Sequence, residues 1–230
     1  MSKRAVVAID GPAGAGKSTI ARRVAEKLGF VYIDTGAMYR AVALWALRAG
    51  IELTDMRRLE QLARAARIEF EAGSSRVLLN GEDVTDAIRA PEVSSAASIV
   101  STYPGVRGAM VVEQRRIAAE RSVVMEGRDI GTVVFPEAEV KIFLDADPEA
   151  RARRRLLEMQ KKGEDSDADE VARDMRERDQ RDRTRAEAPL LQAPDAAYVD
   201  TTPLTIDEVE QVTLKLVRKR ISNGKDFRGD

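Results

Sequence analysis

The sequence predicts an α/β fold, a doubly wound parallel sheet with a small antiparallel insert, and three observations predict it. Short β-branched runs without polar alternation recur along the chain, as expected of strands buried on both faces of a parallel sheet. Helical periodicities fill the spaces between those runs, the alternation that defines this class. One stretch breaks the rhythm with strand, turn and strand in close succession.

Taken in order, Ala5–Ile9 (AVVAI) reads as a central strand, and Ile20, Val24 and Leu28 recur four apart as a helix that stops at Gly29. Val31–Ile33 is a weaker strand, followed by a helix from Ala37 to Ala49 ending at Gly50. Ile68–Glu71, a Gly73-Ser74-Ser75 turn, Arg76–Leu79, Asn80-Gly81 and Glu82–Val84 read as an antiparallel meander, because Asn-Gly suits the positive φ angles of a type I′ turn. Residues 60–100 are therefore expected to form an inserted subdomain. A helix over Val106–Ala119 follows Pro104-Gly105, and Val123–Met125 (VVM) and Val140–Leu144 (VKIFL) are further buried strands. Asp147-Pro148 supplies an N-cap and an N1 proline for a helix running toward Lys162-Gly163, and the polar run Lys161–Asp169 separates it from a second arginine-rich helix. Ala197–Val199 is the last, weaker strand; Thr205-Ile-Asp-Glu208 is a capping box opening the final helix, and the tail 222–230 is expected to fray.

At 230 residues the chain can bury a core without disulfides or structural metals. It contains no cysteine and no histidine, which excludes disulfides, thiolate zinc, iron–sulfur clusters, thiol nucleophiles and imidazole bases. Carboxylates, Lys, Arg, hydroxyls, backbone amides and a hard cation remain, an inventory suited to phosphoryl transfer. Charged residues make up 33% of the chain, yet the net charge is only −1, so nothing favours non-specific binding to nucleic acid or membranes. The longest uncharged stretch, Val93–Val106, is broken by serines, Pro104 and Gly105 and cannot span a bilayer, and the N-terminus has no signal-peptide pattern. A cytoplasmic protein is the expectation.

Gly11-Pro12-Ala13-Gly14-Ala15-Gly16-Lys17-Ser18 matches G-x-x-x-x-G-K-[ST], between the first strand and the first helix, where its mechanism requires it. Glycines let successive amides turn inward around phosphate, and the helix adds its N-terminal partial charge. Lys17 can then reach the β- and γ-phosphates of a nucleoside triphosphate, and Ser18 can hold Mg²⁺. Thr19 completes this stretch and defeats the dinucleotide pattern G-x-G-x-x-G. A GTPase would need N-K-x-D; the nearest string, Asn223-Gly-Lys-Asp226, has the wrong order. A small-molecule kinase is favoured.

Glu126-Gly-Arg128-Asp129-Ile-Gly131-Thr132 follows a strand at its carboxyl end, where open α/β sheets place ligands. Farther on, Glu177–Arg185 packs four arginines and three acidic residues into nine residues. On a helix Arg178, Asp182 and Arg185 share a face, while Asp179 and Arg181 point elsewhere. Taken alone, such a run reads as a solvated salt-bridge ladder. Together with GPAGAGKST (11–19), DTGAMYR (34–40), SSAASIVSTYPGVR (94–107), GRDIGTVVFPEAEVKIFLDA (127–146) and RDQRDRTRAEAPL (178–190), however, the chain resembles the bacterial cytidylate kinases over nearly its whole length.

The resemblance implies a single P-loop kinase domain over 1–230, with 60–100 enlarging the acceptor-binding subdomain and 151–170 forming a lid. It implies ATP as donor, Mg²⁺ as cofactor, CMP or dCMP as acceptor and a monomer. By the same resemblance Thr35, Arg107, Asp129 and Arg185 would face cytosine; Ser98, Arg178 and Asp182 the ribose; Arg40 and Arg128 the α-phosphate, with Tyr39 beside them. Arg151 and Arg155 would close on the transferring phosphoryl group. Cytosine offers an amino donor to Asp129 or Thr35 and acceptors to Arg107, which makes the assignment chemically sensible. Two other readings stand beside it: a P-loop kinase for UMP, AMP or a metabolite hydroxyl, and a nucleic-acid binder using the arginine-rich helices. Against the latter stand an aromatic content of 4% and acids interleaved along those helices.

Overall fold

A computed structural model of the chain describes residues 4–71, 73, 74, 76–161, 163 and 166–222. The expected fraying from 223 onward, the Asn223–Asp226 string, Ser75 of the meander turn, and Lys162, Glu164 and Asp165 of the polar break lie outside the described residues. The elements are β1 (Val6–Asp10), α1 (Lys17–Leu28), β2 (Val31–Asp34), α2 (Thr35–Arg48), α3 (Met56–Ala65), β3 (Ile68–Phe70), β4 (Val77–Leu79), β5 (Glu82–Asp83), α4 (Pro91–Val100), α5 (Pro104–Glu120), β6 (Val123–Gly127), β7 (Val140–Asp145), α6 (Pro148–Lys161), α7 (Ala168–Thr184), β8 (Ala197–Asp200) and α8 (Ile206–Ser222). The larger sheet has the order β2-β6-β1-β7-β8 and the smaller one β3-β4-β5. Strands lie on both sides of β1, and the chain crosses from β6 on one side to β7 on the other, as a doubly wound sheet requires.

The chain divides into two compact units, one of residues up to Val24 together with those from Glu126 onward, the other Ala25–Met125. In the first, β1 and β7 pair in parallel from Val7↔Val140 to Asp10↔Phe143, and β7 and β8 from Ile142↔Ala197 to Asp145↔Asp200. Val7, Ala8, Ile9, Ile142 and Leu144 are buried, as continuous apolar strands with both faces covered must be. The Thr205/Glu208 capping box forms as expected: the Thr205 amide donates to Glu208 Oε2 at 2.8 Å, and the Glu208 amide to Thr205 Oγ1 at 3.3 Å. Asp147 caps α6 by accepting from the Glu149 and Ala150 amides.

In the second unit, α2 packs on α4 and α3 on α5 around Met38, Val42, Leu59, Ile88, Val93 and Met110. The meander closes antiparallel, with Ile68↔Leu79 and Leu78↔Asp83 among its pairs, and Asn80 and Gly81 turn at φ 52° and 84°. On its outer side, the Ile68 amide donates to Glu113 Oε1 at 3.0 Å, and Arg116 Nη2 donates to the Ile68 carbonyl at 3.3 Å.

Several boundaries differ from expectation for identifiable reasons. β1 runs one residue past Ile9 to Asp10. Helix α2 starts at Thr35 rather than Ala37, because the Asp34 carboxylate accepts from the Ala37 amide at 3.0 Å and caps it. Helix α5 includes Pro104, which fits N1 with no amide to lose. Helix α7 ends at Thr184, so the expected continuous face carrying Arg178, Asp182 and Arg185 is corrected: Arg185 is the C-cap, with φ −61° and ψ 140°. No helix among the described residues is long and apolar enough to cross a membrane.

Candidate active site

The loop between β1 and α1 is shaped by its glycines. Gly11 has φ 148°, and a Cβ there would collide with the Leu144 carbonyl oxygen, so only glycine lets the chain leave β1 this close to β7. Lys17, the first residue of α1, is 5% exposed, and its Nζ donates to the Pro12 carbonyl at 2.6 Å. Two of its three N–H groups therefore remain for a ligand. Burial pushes the Lys17 ammonium down to about 7; Arg128 and Arg178 add to this, while Glu126 and Asp10 oppose it. Ser18 and Thr19 are exposed at the mouth of the helix, and the surrounding Pro12, Ala13, Ala15 and Gly16 form the rest of the turn.

Asp10, not anticipated as a site residue, closes the floor. It is 5% exposed, and its two oxygens accept from the Ile130 and Gly131 amides at 2.8 and 2.7 Å. These amides open a single π-helical turn, Ile130–Val134, so Asp10 fixes the segment that follows Arg128 and Asp129. Burial pushes the Asp10 carboxyl up to about 6 against the lowering effect of those two amides.

In the same unit the predicted acceptor residues converge. Arg128 Nε donates to Asp182 Oδ2 at 2.8 Å. Arg185, although outside α7, is folded back: its Nε donates to the Ala188 carbonyl at 2.6 Å, and its terminal nitrogens lie 3.9 Å from Asp129 Oδ1 and 3.9 Å from Asp182 Oδ1. Asp129 is 6% exposed. Burial works against the charges of Arg128 and Asp182, but each holds the other ionised: the Arg128 pKa is raised and the Asp182 pKa lowered. Arg178 is exposed on α7 and acts electrostatically on both Lys17 and Asp182. The two lid arginines part company: Arg151 is buried against the phosphate loop, whereas the half-exposed Arg155 pairs with Glu158 at 3.2 Å.

In the 25–125 unit, Thr35 is buried at the first position of α2, and Arg40, one turn on, pairs with Asp34 Oδ2 at 2.8 Å. The Arg107 guanidinium stacks 5.7 Å from the Tyr39 ring centroid, and its Nη1 donates to the Ser101 carbonyl at 3.1 Å. Ser98 is half-buried on α4. Besides Asp10, sequence reasoning passed over Asp34, Glu126 and Asp179, although one signal was present: an acid ends or nearly ends each strand of the larger sheet, at Asp10, Asp34, Glu126, Asp145 and Asp200.

A glycine-turned loop leaving a central strand and a buried lysine opening the next helix define the class, a P-loop nucleotide-binding protein. Residues 7–219 match the cytidylate kinase family. A relative named cytidylate kinase from Solibacter usitatus is 63% identical over 227 residues, spanning 98% of this chain and 97% of its own. One of the same name from Desulfitobacterium hafniense is 51% identical over 225 residues, 97% of each chain. The chain belongs to the cytidylate kinase family. In fold alone it is similar to the solved structure of an uncharacterized protein from Eubacterium ventriosum, with a TM-score of 0.51 at 13% identity over 92% of this chain and 97% of that one.

Proposed function

We propose that the chain transfers the γ-phosphoryl group of ATP to CMP or dCMP, giving ADP and CDP or dCDP. The observation that carries the reading is the near-full-length identity to cytidylate kinases, joined to an intact phosphate loop. A phosphate oxygen of the acceptor attacks the γ-phosphorus, the bond from that phosphorus to the β–γ bridging oxygen breaks, and ADP leaves with the electron pair. The acceptor is already an anionic nucleophile, so the protein's task is alignment and charge neutralisation rather than general-base catalysis. Loop amides and Lys17 hold the donor phosphates; a polyphosphate beside Lys17 favours its protonated form.

Arg40, Arg128 and Tyr39 are assigned to the acceptor phosphate. Thr35, Arg107, Asp129 and Arg185 are assigned to cytosine, Ser98, Arg178 and Asp182 to the ribose, and Arg151 and Arg155 to the transferring group. Asp182 suits the ribose because Arg128 occupies its Oδ2 and leaves Oδ1 to accept from hydroxyls. Mg²⁺ fits the donor set: Ser18 offers an exposed hydroxyl at the start of α1, a hard oxygen ligand suited to a cation carried mostly by phosphates and water. When bound, Mg²⁺ would offset charge on the β- and γ-oxygens. A monomeric, cytoplasmic enzyme completes the reading.

ADP release measured against a panel of acceptors tests it. CMP should exceed AMP in kcat/KM by on the order of 100-fold, since a pocket built to pair a base edge rejects one that leaves its polar groups unpaired. A panel in which AMP, UMP or a sugar alcohol leads CMP would reject the proposal.

A further inference from the structure

Arg151, at the start of α6, is only 3% exposed. Its Nε donates to the Ala146 carbonyl at 2.9 Å and its Nη1 to the Ala13 carbonyl, inside the phosphate loop, at 3.1 Å. The same Nη1 lies 2.6 Å from Asp179 Oδ2 on α7. One planar guanidinium therefore ties together the loop after β7, the phosphate loop and α7, and its fixed fork cannot reorient toward one partner without loosening another. Packing tightens the link: a Cβ at Gly14 would lie 2.9 Å from Met175 Cε on α7 and 3.0 Å from Arg151 Cβ on α6, so the phosphate loop has little room to move independently of either helix. Nη2 makes no hydrogen bond among the described residues.

Asp179 is not a neutral strut in this arrangement. Its Oδ1 is buried without a hydrogen-bond partner, an expense that a purely structural ion pair has no reason to carry. One turn along α7, Asp182 accepts from Arg128 Nε at 2.8 Å, and the Asp179 charge itself helps hold Arg128 protonated. Ala13, Arg151, Asp179, Asp182 and Arg128 thus form a continuous chain of charge and hydrogen bonding, with α7 as its rigid middle link.

We propose that Asp179 is a positioning residue that couples the phosphate loop to the acceptor-binding arm, so that a nucleoside triphosphate on the loop alters affinity for the nucleoside monophosphate through Arg151 and α7. The inference rests on the reading that Asp182 and Arg128 serve the acceptor. A ligand shifts an equilibrium only through a differential contact, and here that contact is the polyphosphate drawing on the Arg151 guanidinium in competition with Asp179. The carboxylate answers by re-pairing, and the change passes one turn along α7 to the Arg128–Asp182 pair. Linkage requires the effect to be reciprocal, the monophosphate altering triphosphate affinity by the same factor.

Equilibrium titrations of CMP and of the imido analogue of ATP, each alone and then in the presence of the other, test this in the wild-type chain and in Asp179→Asn, which keeps the shape and removes the charge. The wild type should show each nucleotide tightening the other by about fivefold or more. In Asp179→Asn this factor should fall below about twofold, while binding of the ATP analogue alone stays within about threefold of wild type. Undiminished coupling in Asp179→Asn, or a wild type that binds both nucleotides independently, overturns the proposal. A second arm needs no variant: the ATP analogue alone should slow hydrogen exchange of the α7 amides around Asp179–Asp182, and unchanged exchange overturns the proposal even if Asp179→Asn does not fold. Failure of the underlying acceptor reading looks different, since Asp182→Ala would then bind CMP as tightly as wild type.

Discussion

The phosphate loop and the α7 arm lie in one compact unit and both face anionic chemistry, yet they are made from opposite materials. The loop relies on backbone: glycine geometry, amides, a helix start, and a single buried cation whose carbonyl partner is five residues away. The arm relies on side chains in pairs, Arg128 with Asp182, Arg185 between Asp129 and Asp182, and Arg151 with Asp179. A backbone site tolerates exchange of most of its side chains but collapses at its one charge. A paired-charge site degrades with each member removed, because the partner left behind is buried and uncompensated.

The largest expected effect tests the first half of this contrast. Lys17→Met should cut kcat by about 100-fold or more, since removing a cation at a transferring phosphoryl group costs on the order of 3 kcal/mol. A soluble variant keeping more than about a tenth of wild-type activity would mean that amides alone carry the loop. The arm is tested next by Asp182→Ala, which should weaken CMP more than dCMP by about 1–3 kcal/mol if Oδ1 accepts from the 2′-hydroxyl. Equal losses in titrations with the two nucleotides would confine Asp182 to pairing with Arg128.

Asp129→Asn sharpens the contrast at the base. A carboxylate accepts from the cytosine amino group but opposes uracil O4, so kcat/KM for CMP should fall by at least about tenfold, a larger loss than UMP suffers. Equal losses repaired by raising Mg²⁺ would transfer the residue to the metal. The smallest effect is on stability. The folded Lys17 titrates near 7 and the unfolded one near 10.5, so between those values the unfolded chain binds the extra proton. Stability should therefore rise with pH across this window. Unfolding free energies of wild type minus Lys17→Met should increase from pH 7 to pH 8 by about 1 kcal/mol, and a flat difference would show that burial does not depress this ammonium.

The same division of materials explains what could be read in advance. Strands β1, β6 and β7 and the phosphate loop are encoded by local pattern, apolar runs and glycine spacing, and they sit where the pattern puts them. The Asn80-Gly81 turn is likewise local chemistry. The charge pairs are not: residues 177–185 taken alone describe a solvated ladder, and nothing in their spacing announces that Asp182 meets a residue 54 positions earlier or that Asp179 meets Arg151. The i+7 spacing places Arg185 on the helix, but Leu190 donates its amide to the Asp182 carbonyl at 2.7 Å and the turn folds the chain back. Asp10 escaped notice because a lone acid at a strand end gains meaning only when the amides of a distant turn dock on it.

The small sheet of the 25–125 unit carries a further lesson. A three-residue strand at a sheet border is ordinarily a template on which a foreign strand can grow, because its outward amides and carbonyls are open. Here Glu113 and Arg116 of α5 occupy the outward amide and carbonyl of Ile68, and Arg116 Nε also donates to Glu113 Oε2 at 2.7 Å. At Ile68 the border of β3 is thereby occupied by a salt-bridged pair rather than by another strand. An outward amide and carbonyl held this way are withdrawn from intermolecular β-pairing, and in a strand of three residues that shortens the template left to a neighbouring molecule.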